Sequence, residues 1–317
     1  MNDHTTISSS VERYLAFRQT LGYDVRRDGE LLRNFRAFLA QRRHTGPLTT
    51  ALALEWATKP ERASRAYRVL RLGVARNFAR YCAAFDAHTE IPPAGLLKHG
   101  PRPAPYIYSP DEIQTLLKTA RSLRPRDGLR PHTYAGLLAL IACTGIRTCE
   151  AVRLCVCDVL WRESALLIRN SKRITERLVP LHSSALDALR EYGQRRSGYA
   201  ADPAFPRFFI ADNGGPLDRF TVGQTFRRLR VRAGVNAAKG PQPRIHDLRH
   251  TFATRRLLQW HREGVPLDRA LLTLSAYLGH VRPTDTYWYL TAIPELMSAC
   301  GERFERYMRR QLEGGQP

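Results

Sequence analysis

At 317 residues the chain is longer than one average domain, so two domains are expected. Hydrophobic residues make up 43% of it, enough to build real cores, so the net charge of +21 does not mean wholesale disorder. That charge points to a polyanion, nucleic acid ahead of an acidic membrane surface. The six cysteines (Cys82, Cys143, Cys149, Cys155, Cys157, Cys300) contain no C-x-x-C pair, and Cys155 with Cys157 lacks a second half-site for zinc. They read as reduced, mostly buried thiols. Met1 to Ser10 is polar and lacks the regions of a signal peptide, and no apolar run reaches the length of a membrane span. A cytoplasmic location is expected.

From about Ser10 to Asp86 the pattern predicts four helices. The first, Val11 to Leu21, follows capping serines and stops at Gly22. The second, Gly29 to Arg42, carries an apolar stripe of Leu31, Leu32, Phe35, Phe38 and Leu39. Thr49 or Thr50 caps a short third helix ending near Thr58, and Pro60 opens a long fourth one. Along one side of that fourth helix run Arg65, Arg68, Arg76 and Arg80, candidates for contact with a DNA backbone. The stretch from Ile91 to Pro110 is rich in proline and reads as an inter-domain linker.

The second half opens at Ser109-Pro110-Asp111-Glu112, where a capping serine, a first-turn proline and a reciprocal glutamate start a helix. Thr133 to Cys143 is an almost wholly apolar helix ending at Gly145, and Thr148 starts a short one with Glu150 a turn beyond Arg147. Leu166 to Arg169 and Arg177 to Pro180 predict a β-hairpin with Asn170, Ser171 and Lys172 at its tip. Helices near Ser184 to Arg195 and Thr221 to Arg232 flank a strand-like Phe208-Phe209-Ile210. The element order is that of a mainly α protein with a small β-hairpin or sheet (α+β).

Chemistry concentrates between His246 and Tyr289. If 246–261 is helical, His246, Arg249 and His250 share one face, which offers a guanidinium fork and an imidazole to a phosphate oxygen. Tyr289 follows His280 by nine positions (289 − 280), so a short turn can return a phenol to that pocket as a phosphate nucleophile.

These residues resemble the active site of the phage-integrase-type tyrosine recombinases: His246-Asp247-Leu248-Arg249-His250, then Leu278-Gly279-His280, then Tyr289. Upstream, Thr144-Gly145-Ile146-Arg147-Thr148-Cys149-Glu150 is similar to that family's first arginine motif, and Lys172 before Arg177-Leu178-Val179-Pro180-Leu181 to its hairpin lysine. The resemblance implies a helical core-binding domain (1–98), a linker (99–108) and a catalytic recombinase domain (109–317), the two domains clamping duplex DNA. It implies site-specific strand exchange through a 3′-phosphotyrosine, without metal or other cofactor. Tyr289 would be the nucleophile and Lys172 the general acid. Arg147, Arg249 and His246 would clamp the phosphate, His280 would serve the phenol as base or acceptor, and Glu150 and His250 would support. The implied partners are a double-stranded recombination site, further copies of the chain (a dimer on a site, a tetramer in the synapse) and sibling recombinases, with no membrane.

Two departures from the pattern stand out. The 31 residues (280 − 249) from Arg249 to His280 exceed the usual connection, with Trp260 to Leu267 as the longer turn, and Ala151 replaces a common leucine. A type IB topoisomerase shares the chemistry, but the small N-terminal domain and an amphipathic C-terminal helix from Pro294 favour a recombinase. A dead DNA-binding regulator would have lost a catalytic residue, and none is lost. A metal nuclease lacks its carboxylate cluster. The Thr286-to-Glu295 ending looks more like transposon-encoded branches, so integration, excision or transposition of a mobile element is expected.

Overall fold

The computed structural model describes residues 7–100, 104–169, 176–199, 206–238, 240, 242–280, 282 and 284–290. Lys172 and the helix expected from Pro294 lie outside them. The chain divides into two compact units, Met1–Arg102 and Pro103–Pro317.

The first unit holds α1 (Ile7–Thr20), α2 (Arg26–Gln41), α3 (Thr50–Thr58) and α4 (Arg65–Cys82). Thr49 caps α3 by accepting from the Leu52 amide at 3.3 Å. The fourth helix starts later than its sequence suggested. Ser64 caps it and Pro60 does not open it: the Ser64 hydroxyl accepts from the Tyr67 amide at 3.2 Å, and Pro60 lies in the turn before it. A serine with extended backbone satisfies an orphan N–H, which a proline cannot do.

The stripe of α2 is buried as its spacing requires, and its centre is Trp56 of α3, which has no exposed surface. Its ring lies 4.8 Å from Phe35, its indole N–H donates to Asn34 Oδ1 at 2.9 Å, and Arg71 of α4 stacks on it at 3.9 Å. Arg71 also donates to the Trp56 carbonyl at 2.7 Å, so its own burial is compensated in part, while its Nε stays buried without a hydrogen-bond partner.

The second unit begins with α5 (Pro110–Arg121), where Ser109 and Glu112 form the expected capping box. There follow α6 (Arg130–Thr144), α7 (Thr148–Arg153) and a 3-10 turn at Val156–Asp158. The sheet is an antiparallel meander of β1 (Val159–Leu160), β2 (Ala165–Arg169) and β3 (Glu176–Pro180). Leu166 faces Val179 and Ile168 faces Arg177. Leu166, Ile168 and Val179 are buried, whereas Leu178 is 58% exposed, so alternation sets one face of the hairpin into the core. β1 is a strand of two residues, too short to carry a period.

Among the described residues the unit also holds α8 (Ser183–Ser197), α9 (Arg219–Arg232), α10 (Asp247–Arg262), α11 (Leu267–Leu278) and the short α12 (Thr284–Tyr287). The core packs α5, α6, α8 and α9 around Leu137, Ile141, Tyr192, Phe208, Phe209 and Phe226. A smaller cluster joins α10 and α11 through Leu257, Leu274 and Leu278 and includes Tyr289. The extra length between Arg249 and His280 is helix, not turn: α10 runs on through Trp260 to Arg262, and residues 263–266 alone separate it from α11. The cysteines also differ from expectation. Cys143 and Cys157 are exposed and Cys82, Cys149 and Cys155 half-buried, all five free of disulfides.

Because Trp56 joins three helices, Trp56→Ala should destabilise the N-terminal unit by ~3–5 kcal/mol, with Trp56→Phe costing less. Urea unfolding of the full chain, followed by circular dichroism, should show a lowered midpoint. Curves that superpose on those of the parent would refute this reading of the core.

Candidate active site

Two helices end in left-handed glycines, and the site is built on both ends. Gly145, at φ 65°, closes α6, and a Cβ there would meet Phe252 of α10 at 2.4 Å. Gly279, also at φ 65°, closes α11 and turns the chain so that His280 follows at once. Neither position accepts a side chain without strain.

Arg249 joins the two ends. It stands in the first turn of α10, where the Asp247 carboxylate binds the Arg244 amide and guanidinium, each at 2.8 Å. Arg249 is 1% exposed and donates to Gly145 O at 2.8 Å, Leu278 O at 2.9 Å and His280 Nε2 at 2.9 Å. Burial works against its charge, and the neighbouring Tyr289 hydroxyl offsets part of that.

A guanidinium only donates, so His280 Nε2 accepts. The ring proton therefore sits on Nδ1, which meets Thr286 Oγ1 at 2.8 Å. Desolvation, then the charges of Arg249 and Arg147, hold His280 down to about 4, in keeping with a neutral ring. His246, although exposed, is also held below its ordinary value, by desolvation first and then by the charge of Arg249.

Arg147 precedes α7. Its guanidinium donates to Glu150 Oε1 at 2.8 Å and to Gly279 O at 3.0 Å, while its amide donates to Glu150 Oε2 at 2.9 Å. Glu150 holds Arg177 as well, at 2.7 Å. Burial alone would raise the Glu150 pKa, but the bonds and charge of Arg177, together with Arg147, pull it down to about 2.

Tyr289 is 3% exposed and lies among the histidines, its ring 5.9 Å from His280 and 5.3 Å from His250. His250 is buried, 4.9 Å from the His246 ring. The Tyr289 amide donates to Thr286 O at 3.0 Å, which closes the turn that returns it. Tyr287 is 50% exposed.

Arg147, Glu150, His246, Arg249, His250, His280 and Tyr289 thus come together from four stretches of chain, and Lys172 falls outside the described residues. Two contributors carried no role in the sequence reading. Thr286 is wholly buried, a signal no spacing rule supplies, and Arg177 was quoted only as part of a motif. Among the described residues no group of three or more His, Cys, Asp or Glu side chains is placed to hold a metal ion. No helix among them is long and apolar enough to cross a membrane.

The arginines of α4 form no such cluster. Arg65 donates to Lys98 O at 2.7 Å, Arg68 to Pro60 O and Glu61 O at 3.2 and 2.6 Å, and Arg76 to Pro92 O and Pro93 O at 2.7 and 2.8 Å. They tie down the segments flanking the helix, while Arg80 reaches Asn77 one turn away.

Known proteins resemble the chain at several levels of similarity. The model of the phage integrase family matches residues 107–295. A Sinorhizobium fredii protein named as an integrase/recombinase, y4rB, is 42% identical over 308 residues, which cover 95% of this chain and 98% of the relative. The structure of the Tn1549 transposon integrase in complex with transposon right end DNA matches with a TM-score of 0.70 at 18% identity, covering 94% of this chain and 99% of that one. A lambda integrase tetramer bound to a Holliday junction matches with a TM-score of 0.61 at 18% identity, covering 90% and 77%. At that identity the two structures speak for the fold, while the family match and the S. fredii relative decide membership. The chain belongs to the phage integrase family and is a tyrosine recombinase, an enzyme that breaks and rejoins DNA.

Proposed function

We propose that the chain exchanges strands at a specific duplex DNA site through a covalent bond between Tyr289 and a 3′-phosphate. The observation that carries this is the convergence of Arg147, Arg249, His280 and Tyr289 around the C-terminal turn of α11. Tyr289 attacks phosphorus, the bond to the 5′-oxygen breaks, and the phenol's proton passes to His280 Nε2, which releases its Arg249 contact to take it. Lys172 protonates the leaving oxygen. Arg147 and Arg249 balance the charge that grows on the equatorial oxygens, with His246 donating a further bond. Attack by a 5′-hydroxyl reverses each step, so the phosphate ester is conserved and no nucleotide cofactor is consumed.

Glu150 and His250 hold these groups in place, and Arg65, Arg68, Arg76 and Arg80 keep N–H groups for DNA phosphates beyond those spent on their own carbonyls. Two copies of the chain occupy a site and four form the synapse, in line with the lambda integrase tetramer on a Holliday junction. The reaction serves integration, excision or transposition of a mobile element.

Three outcomes test this. Tyr289→Phe should bind a nicked suicide substrate and form no covalent adduct, whereas Tyr287→Phe should still form it. An adduct from the first variant, mapped to Tyr287, would overturn the choice of nucleophile. Lys172→Ala should cleave an ordinary substrate poorly but a 5′-bridging sulfur substrate nearly as well as the parent, since sulfur leaves without an acid. Equal defects on both would make Lys172 a binding residue.

The third outcome concerns pH. With its folded value near 4 and an unfolded value of about 6.5, His280 disfavours protonation in the native state. Above the unfolded value it has no effect on stability, and as pH falls through that window the unfolded chain takes up the proton first and stability drops. Long-range nitrogen NMR of the free protein should show His280 neutral and protonated at Nδ1 down to pH ~5. A titration midpoint at or above 6.5 would refute the hydrogen-bond assignment.

A further inference from the structure

Arg177 stands on β3 two positions from Val179, so strand alternation turns it inward with that core residue while Leu178 faces solvent. Its side chain is 14% exposed and committed at every nitrogen. Nη1 and Nη2 form a fork onto the two oxygens of Glu150, at 3.1 and 2.7 Å, and Nε donates to Tyr277 O at 2.9 Å. The planar guanidinium lies against the turn at Gly279, where a Cβ would meet Nη1 at 2.9 Å.

The consequence appears at the end of α11. The last carbonyls of a helix lack intrahelical partners. Here three in succession are taken by three arginines: Tyr277 O by Arg177, Leu278 O by Arg249 and Gly279 O by Arg147. The turn that presents His280 is therefore held from three sides. Arg177 also fixes Glu150, and Glu150 fixes Arg147 through both backbone and guanidinium. It does so from the strand that follows Lys172 by five positions (177 − 172).

We infer that Arg177 is a positioning residue for DNA cleavage: through Glu150 it sets the plane of Arg147, and through Tyr277 O it sets the turn that carries His280. It does not touch the phosphate. The inference rests on the proposed role of Arg147 in the phosphate clamp.

Single-turnover cleavage of a nicked suicide substrate, at saturating protein, tests it with Arg177→Ala, Arg177→Lys, Arg147→Ala and the Arg147→Ala/Arg177→Ala double variant. Arg177→Ala strips the buried Glu150 of its fork and should lower the melting temperature, yet at a temperature where the variant is folded it should keep near-parental half-site affinity and slow cleavage on the order of 100-fold, the scale of a misplaced reacting group. Because it acts through Arg147, the double variant should be no slower than Arg147→Ala alone. A methylphosphonate at the scissile position lacks the charge that Arg147 offsets, so on it the Arg177→Ala defect should shrink. Arg177→Lys keeps the charge and loses the fork, so it should recover only part of the rate; it also serves the comparison should Arg177→Ala fold poorly. Arg177 variants that cleave at the parental rate, or defects that multiply with that of Arg147→Ala, would overturn the proposal. An equal defect on both substrates would reduce Arg177 to a structural ion pair. Parental cleavage by Arg147→Ala would instead sink the clamp reading beneath it.

Discussion

The organising interaction of the catalytic unit is the burial of one positive charge. Arg249 is 1% exposed, and such a charge is tolerated only where its donors find acceptors. Those acceptors are Gly145 O at the end of α6, Leu278 O at the end of α11, and His280 Nε2 just beyond. Losing one partner of a buried charge typically costs ~3–5 kcal/mol, which ties the two helix ends and the first turn of α10 into one arrangement. The left-handed glycines are part of the same constraint. Each turns its helix end sharply, and each lies where a side chain would strike a neighbour, Phe252 in one case and Arg177 in the other.

Helix C-termini carry partial negative charge, and here it faces the guanidiniums. Arg147, Arg177 and Arg249 are stabilised in advance by carbonyls of α6 and α11 and by the single carboxylate of Glu150. Three guanidiniums against one carboxylate leave an excess of two positive charges (3 − 1) before any phosphate arrives. Dipoles can hold cations close together without neutralising them, which more carboxylates would do. A site prepared in that way suits an incoming dianionic transition state, since its donors need little rearrangement when charge grows.

What the sequence disclosed and what it hid divide along one physical line. Signals that depend on near neighbours in the chain were legible. The capping box at Ser109 and Glu112, the glycine stop before Arg147 and the hairpin alternation all depend on residues a few positions apart. Arg177 and Glu150 pair across 27 positions, and Arg177 meets Tyr277 O across 100, so no local pattern marks either bond. The α4 arginines show the same limit from the other side. Their spacing places them on one side of the helix, but carbonyls elsewhere in the chain decide where Arg65 and Arg76 point. The cysteines misled for a related reason: a preference for burial describes the residue type, while Cys143 and Cys157 sit where their elements face solvent.

Thr286 links the proton state of the site to the position of the proposed nucleophile. Its carbonyl accepts from the Tyr289 amide, and its hydroxyl meets His280 Nδ1 at 2.8 Å. A hydroxyl that accepts from Nδ1 holds the imidazole in the tautomer that leaves Nε2 free for Arg249. Were the ring to gain a second proton, Nε2 would present a donor to the donors of Arg249, 2.9 Å away, and that contact would turn repulsive. The buried cation, the neutral histidine and the tyrosine turn are therefore mutually dependent. Burial and the charge on Arg249 keep His280 neutral, the neutral ring donates to Thr286, and Thr286 closes the turn that sets Tyr289 against both histidine rings.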